Sequence, residues 1–188
     1  AGAFDYTSSP VAVYDSAFAP GRNLIYVGSQ NGSLYVIRDD GSLPFPVRQY
    51  SVPAAPIRST PAINPANGDV YFGSDNNSIY ALSDAGTGPG RWSVVTGGDV
   101  VSSPTVSGDG RTVYVGSDNG RLYIIALNAD GTINNTQTYP PSGDSAIGAI
   151  QSSPTIADDG AVVFGSDDGH LYALNPDRTL RWKYPAVG

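Results

Sequence analysis

The sequence predicts an all-β fold made of four copies of one four-stranded unit. Three observations carry this. One stretch recurs four times, as "LIYVGSQNGSLYVI", "DVYFGSDNNSIYAL", "TVYVGSDNGRLYII" and "AVVFGSDDGHLYAL". Short runs rich in Val, Tyr and Ile alternate with Asp-Gly and Asn-Gly pairs, the pattern of strands joined by tight turns. All 17 acidic residues are Asp, and Lys183 is the single lysine. Glu and Lys favour exposed helix, whereas Asp favours turns.

The repeat has fixed landmarks. Its Gly-Ser pairs are Gly28-Ser29, Gly73-Ser74, Gly116-Ser117 and Gly165-Ser166, at intervals of 45, 43 and 49 residues. Upstream of each lies a Ser-Ser/Thr-Pro signature, beginning at Ser8, Ser59, Ser102 and Ser152. Downstream lie Leu34-Tyr35, Ile79-Tyr80, Leu122-Tyr123 and Leu171-Tyr172. Two copies add an Arg-Trp pair, Arg91-Trp92 and Arg181-Trp182. A near-constant period of this length marks a repeat architecture, in which each unit buries its apolar face on its neighbours. The chain reads as one portion, 1–188, with repeats at about 8–58, 59–101, 102–151 and 152–188.

The third copy shows the expected elements. Strand one covers about Ser103–Val106 and ends at "SGDG". Strand two covers Thr112–Ser117 and ends at "DNG". Strand three covers Leu122–Leu127 and ends at "NADG". Strand four is the weakest, around Thr136–Tyr139. The Asp-Gly and Asn-Gly turns supply the positive φ that tight hairpins need. "VYVG" and "LYII" are apolar on both faces, so these strands need cover on both sides. Blades stacked face to face around an axis provide it.

These motifs resemble the PQQ-like, or quinoprotein-type, β-propeller repeat over nearly the whole chain. The matching pattern is S-S-P, then V-Y-V-G-S-x-D/N-G-x-L-Y-A-L, then W. In that family Trp and Gly of successive repeats dock neighbouring blades. The resemblance therefore implies blade-docking roles for Trp92, Trp182, Gly28, Gly73, Gly116 and Gly165. The first and third copies lack the Trp, and Phe45 or Tyr50, and Tyr139, are the expected substitutes. Propellers of the WD type fit less well, since the single His170 cannot supply a repeated Gly-His landmark.

Composition excludes several function classes. The net charge is -7 and the Arg residues are scattered, so clustered cations for nucleic acid are absent. No run reaches the length of a membrane-spanning helix, and no insertion is expected. No signal peptide is visible and the chain starts at Ala1, as in a mature secreted chain or a trimmed one. There is no Cys, which removes disulfides, thiolate metal sites and Cys nucleophiles. The resemblance to assembly-factor and sensor members, with few lysines and no cysteine, implies an extracytoplasmic place.

The same resemblance invites an enzyme reading. Quinoprotein dehydrogenases hold PQQ and calcium through a Glu, an Asn, an Asp base and a Trp under the quinone, often with a vicinal Cys pair. Glu and Cys are absent here, and both Trp residues are assigned to docking. No catalytic residue and no cofactor is therefore expected; a dehydrogenase fragment is the alternative. Asp75, Asp118, Asp167 and Asp168 are weak metal candidates, because Asp at a tight turn needs no ligand to explain it. Strand alternation puts these turns on the same side as the linkers between repeats. Asp99 and Asp144 should join Asp118 and Asp167 on an acidic interaction face for a protein partner. His170 has no marked nucleophile or orienting carboxylate. The Ser-Ser-Pro serines lack a G-x-S-x-G context and are expected to satisfy backbone groups. Sequons at Asn31, Asn76 and Asn134 carry weight only in a glycosylating host.

The count of repeats raises a further expectation. Propellers of this type close with seven or eight blades, and eight blades of ~40–45 residues need roughly twice this chain. The linker "YPPSGDSAIGAIQSSP" nearly matches "YPAVG" joined to "AGAFDYTSSP". Four blades thus read as half of an eight-bladed ring, completed by a second copy or a missing half. A repeating array is the remaining alternative. An open half-ring would expose two apolar blade faces.

Overall fold

The computed structural model describes residues 5–15, 22–39, 45–53, 55–83 and 90–185. These residues form strands in four separate four-stranded antiparallel sheets, with no helix among them. Each sheet is one repeat, and each is a meander in chain order. Blade 1 holds β1 (Val11–Asp15), β2 (Arg22–Gly28), β3 (Ser33–Asp39) and β4 (Phe45–Ser51). Blade 2 holds β5 (Ala62–Ile63), β6 (Val70–Ser74), β7 (Ser78–Leu82) and β8 (Trp92–Val95). Blade 3 holds β9 (Thr105–Val106), β10 (Thr112–Ser117), β11 (Arg121–Leu127) and β12 (Ile133–Tyr139). Blade 4 holds β13 (Thr155–Ile156), β14 (Val162–Ser166), β15 (His170–Leu174) and β16 (Leu180–Pro185).

Two strand bounds in blade 3 differ from expectation. β9 is only Thr105–Val106, because Pro104 before it has no N–H to give the ladder. β12 starts earlier, at Ile133, which pairs with Leu127 straight after the Asp130-Gly131 turn. A bulge between Ala126 and Leu127 absorbs the extra residue.

The central hairpins have three-residue loops, with the positive φ on one residue. Gly32, Gly120 and Gly169 hold it in three blades, and Asn77 (φ 64°) holds it in blade 2. A turn closed by one left-handed residue explains why Asn can replace Gly there. The turns between the third and fourth strands follow the same rule. Gly131 holds φ 82° in blade 3, and Arg178 holds φ 73° in blade 4.

The core lies between blades. One cluster joins Leu24, Tyr26, Leu34 and Val36 of blade 1 to Val70, Phe72 and Leu82 of blade 2, around Ile57. A second joins Tyr71, Ile79 and Ala81 of blade 2 to Val113, Val115, Tyr123 and Ile125 of blade 3, around Val100. A third joins Leu122 and Ile124 of blade 3 to Val162, Phe164, Tyr172 and Leu174 of blade 4, around Ile150. Along β6, Val70 and Phe72 face one neighbour while Tyr71 faces the other, as strand alternation dictates. Double-sided cover is why these runs are apolar throughout. Among the described residues no such cluster joins blade 4 to blade 1.

Candidate functional site

A meander turns alternately at its two ends, so each blade presents two rims. The turn between its second and third strands shares a rim with the linkers between blades. On that linker rim stand Asp75, Asp118 and Asp167, each tied by its backbone to the linker that enters its own blade. The Asp75 N–H donates to the Pro56 carbonyl (3.0 Å), that of Asp118 to Asp99 (2.9 Å) and that of Asp167 to Ala149 (2.8 Å). Asp99 and Asp144 lie in the linkers themselves. The Asp144 carbonyl accepts from Arg121 at 2.6 Å, and the same guanidinium reaches the Pro140 and Pro141 carbonyls. The opposite rim carries Asp109, Asp130 and Asp177, which cap their own turns and have lowered pKa values from Ser and Thr hydrogen bonds.

The linker-rim carboxylates differ in setting. Asp75 Oδ2 accepts from Arg58 Nε at 2.7 Å, and Asp99 lies 3.6 Å from the same guanidinium. Burial pushes the Asp75 carboxyl up, Arg58 opposes that, and Asp99 and Asp118 reinforce it. Asp118 Oδ2 accepts from Gln151 at 3.2 Å. The second oxygens of Asp75 and Asp118 are buried with no hydrogen-bond partner in the protein. Asp167 and Asp144 are exposed. Among the described residues no three His, Cys, Asp or Glu side chains gather in metal-holding geometry.

Asp168 sits apart from the turn aspartates beside it. It accepts from Tyr172 Oη at 2.5 Å, and Lys183 Nζ and His170 Nδ1 lie at 3.5 and 3.2 Å. Burial pushes its carboxyl up, but the Tyr172, His170 and Ser166 hydrogen bonds and the Lys183 charge outweigh that and leave it lowered. The other three blades make the same pair with reversed polarity. Asn31, Asn76 and Asn119 donate to Tyr35, Tyr80 and Tyr123 at 2.8, 2.7 and 2.9 Å. This Asx–Tyr pair locks the central turn to the third strand. It was present in the sequence as N/D-x-x-x-Y but carried no chemical signal there.

The Ser-Ser/Thr-Pro and Gly-Ser landmarks meet. The first serine accepts the N–H of the Gly in its own blade: Ser8 from Gly28 (2.7 Å), Ser59 from Gly73 (3.0 Å), Ser102 from Gly116 (3.0 Å) and Ser152 from Gly165 (2.7 Å). The second serine links blades. Ser103 Oγ accepts from the Thr60 N–H at 2.9 Å, and Ser153 Oγ from the Ser103 N–H at 3.2 Å.

The same glycines mark the joints. A Cβ on Gly28, Gly73 or Gly116 would stand well inside contact distance of Ile57, Val100 or Ile150. Each of these plugs lies two residues before the Ser-Ser/Thr-Pro of the next blade. A Cβ on Gly165 would meet nothing nearer than Ser152 Oγ at 3.5 Å and Leu171 Cδ2 at 3.6 Å.

Trp92 stacks on Tyr71 (5.5 Å, 23°) and reaches across to blade 3, where its Nε1 donates to the Gly131 carbonyl at 3.0 Å. Arg91 pairs with buried Asp69 at 2.7 Å and also reaches the Asp130 carbonyl. Trp182 is 42% exposed. The register puts Trp92 and Trp182 opposite Ala81 and Ala173, and puts Arg48 and Gln137 at the matching places opposite Val36 and Ile124. By this register Phe45, Tyr50 and Tyr139 do not stand in for the missing Trp; Phe45 is paired along the ladder with Arg38. Tyr50 and Tyr139 lie two residues further on, opposite Leu34 and Leu122, where Val94 faces Ile79 in blade 2. Tyr50, Val94 and Tyr139 pack into the joints.

Residues 48–187 match the family model described as outer membrane protein assembly factor BamB, a model of PQQ-like repeats. The chain belongs to this family. A crystal structure of BamB from Moraxella catarrhalis superposes with a TM-score of 0.64 at 19% identity. The match covers 86% of this chain and 46% of that BamB chain, so this chain spans less than half of that BamB's length. No curated protein matches the chain. The family and the BamB superposition agree with four four-stranded blades and fix the fold as a PQQ-like β-propeller portion.

Proposed function

We propose that this chain is a non-catalytic docking scaffold that acts outside the cytoplasm in outer-membrane protein assembly. Its linker rim is the docking face. The observation that carries the reading is the placement of Asp75, Asp99, Asp118, Asp144 and Asp167 along one rim, held by backbone bonds to the blades. A rim on which aspartates outnumber Arg58 and Arg121, held on a rigid scaffold, steers and registers a partner of opposite charge. The partner is a protein with a basic or polar surface. Membership of a family described as an outer membrane protein assembly factor supports the process. The blade-docking roles of Gly28, Gly73, Gly116, Trp92 and Trp182 belong to the same scaffold reading.

A photo-crosslinker placed at Asp144 or Asp167 should trap an outer-membrane assembly protein in cells. The same probe at Asp130 or Asp177, on the opposite rim, should trap none. Equal yields from both rims, or none from either, would overturn the docking face. Purified chain supplied with PQQ and calcium should oxidise neither alcohols nor sugars, since no Glu or Cys is present to complete that site. Measurable turnover would restore the dehydrogenase-fragment alternative.

A further inference from the structure

The joint between blades 3 and 4 keeps the frame of a tryptophan seat without the tryptophan. At the joint between blades 2 and 3, Trp92 stacks on Tyr71 and donates to the Gly131 carbonyl in the β11–β12 turn, and Arg91 reaches the Asp130 carbonyl of the same turn. Blade 4 rebuilds that turn bond for bond. The Asn128 N–H donates to the Thr132 carbonyl and the Asn175 N–H to the Thr179 carbonyl, both at 2.9 Å. Asp130 and Asp177 each accept from the threonine hydroxyl at 2.6 Å. Gly131 and Arg178 hold the matching positive φ, 82° and 73°. The side chains facing the turn differ. Gln137 holds the Trp92 place, and Thr136 before it holds that of Arg91. The space that an Arg-Trp pair would fill stays open as a cleft of about 380 Å³, with Gln137, Tyr139, Asp177 and Arg178 among its walls. Both walls belong to this chain, so the cleft does not depend on what precedes blade 1 or follows blade 4.

We propose that this cleft binds a tryptophan side chain carried on an extended, uncharged segment of a partner protein. The chain itself shows the fit, since the same turn seats Trp92 one joint earlier. The Arg178 carbonyl holds the place of the Gly131 carbonyl and accepts no hydrogen bond among the described residues. Tyr114 holds the place of Tyr71 in its blade and packs into this joint. Ile124 opposite Gln137 is larger than Ala81 opposite Trp92, so an incoming indole sits further out than Trp92 does. There it meets the Arg178 guanidinium, which lines the cleft and enters no ion pair among the described residues. A guanidinium against an indole face is a favourable contact. The strand beside the cleft suits an extended segment. An edge strand offers unpaired backbone groups, which Lys, Pro or short length blunt. β4 carries Pro46 and Arg48, β8 has four residues, and β16 carries Arg181, Lys183 and Pro185. β12 runs for seven residues with no charge and no proline. Backbone pairing on such an edge supplies affinity, and an aromatic anchor in a neighbouring cleft supplies choice of partner. The inference does not rest on the acidic linker rim.

Backbone-amide NMR titration of the protein tests it, with two short uncharged peptides that differ only in a central tryptophan or alanine. The tryptophan peptide should shift the Gln137, Thr138 and Arg178 amides. It should bind at least about tenfold more tightly than the alanine peptide, the margin of an anchor residue. Gln137→Trp fills the cleft from within and should weaken binding at least about tenfold. Arg178→Gly removes the cation while suiting the turn, so it should stay folded and weaken binding about threefold, the loss of one exposed cation–π contact. Equal binding of the two peptides, binding of neither, or tryptophan-peptide binding that both variants leave unchanged would overturn the proposal. Asp99→Asn with Asp118→Asn should leave peptide binding as it is while altering rim crosslinking, which separates the two readings.

Discussion

At the scale of single residues, the glycines and serines of the repeat do the same work in every blade, and the cost of changing them depends on the neighbour. Gly116→Ala puts a methyl into Ile150, and neither the backbone of Ile150 nor its branched side chain has room to yield. It should cost about 1–3 kcal/mol by urea denaturation, the range for overpacking. Gly165→Ala should be near neutral by the same measurement. Arg178 makes the opposite case. Its φ of 73° is one that Gly adopts freely, so Arg178→Gly should raise stability by about 1 kcal/mol. Asp75 adds a pH dependence. Burial raises its folded-state pKa, so the folded chain holds this proton at a higher pH than the unfolded chain does. The ionised form therefore costs stability at neutral pH, and that cost fades as pH falls through the raised value. Asp75→Asn should raise the melting temperature at pH 7. The gain should shrink on acidification and vanish once pH reaches the ordinary carboxylate range.

At the scale of elements, the hairpin is the unit of register and the joint is the unit of energy. Trp92 belongs to both, since it sits in β8 and bonds to the β11–β12 turn of the next blade. Trp92→Ala should cost about 3 kcal/mol, the low end for truncating a packed aromatic. Trp182→Ala should cost the isolated chain far less, because 42% of that residue is already exposed. The comparison separates a tryptophan that docks a blade within the chain from one that faces outward. Much of this was legible beforehand: strand alternation, turn positions, and the serine and glycine landmarks are all local patterns. The plugs Ile57, Val100 and Ile150 were not, because one aliphatic residue in a linker looks like any other until the neighbouring blade is in place. The substitutes for Trp were misread for a related reason. Which residue takes the Trp place is set by the register of the fourth strand on the third, and no count along the sequence gives that register.

At the scale of the whole molecule, stability should be a sum over joints. Ile57 and Ile150 plug different joints and share no cluster. Each change to Ala should cost about 2–5 kcal/mol, the range for a large buried aliphatic. Together they should add to within about 0.5 kcal/mol, as independent sites do. Strong coupling in a double-mutant cycle would show that the blades do not behave as nearest-neighbour units. Adding calcium or EDTA should leave the melting temperature unmoved, as expected if the turn aspartates serve backbone geometry. A rise of several degrees with calcium would point instead to the unpartnered oxygens of Asp75 and Asp118 as ligands.

The sequence by itself determined the blade: its four strands, its turns, the two-sided apolar character of its strands and the four-fold count. Those features follow from short-range chemistry, from the alternation of side chains along a strand and the φ values that Gly and Asn allow. "TVYVGSDNGRLYII" needs nothing beyond its own residues to be read as a hairpin. The tertiary structure alone decided which surfaces are spent. It showed that Leu34, Ile79 and Leu122 are sealed while Leu171 is open, although the four look alike in sequence. Burial depends on whether a neighbouring blade is present, and a residue's identity carries no record of that.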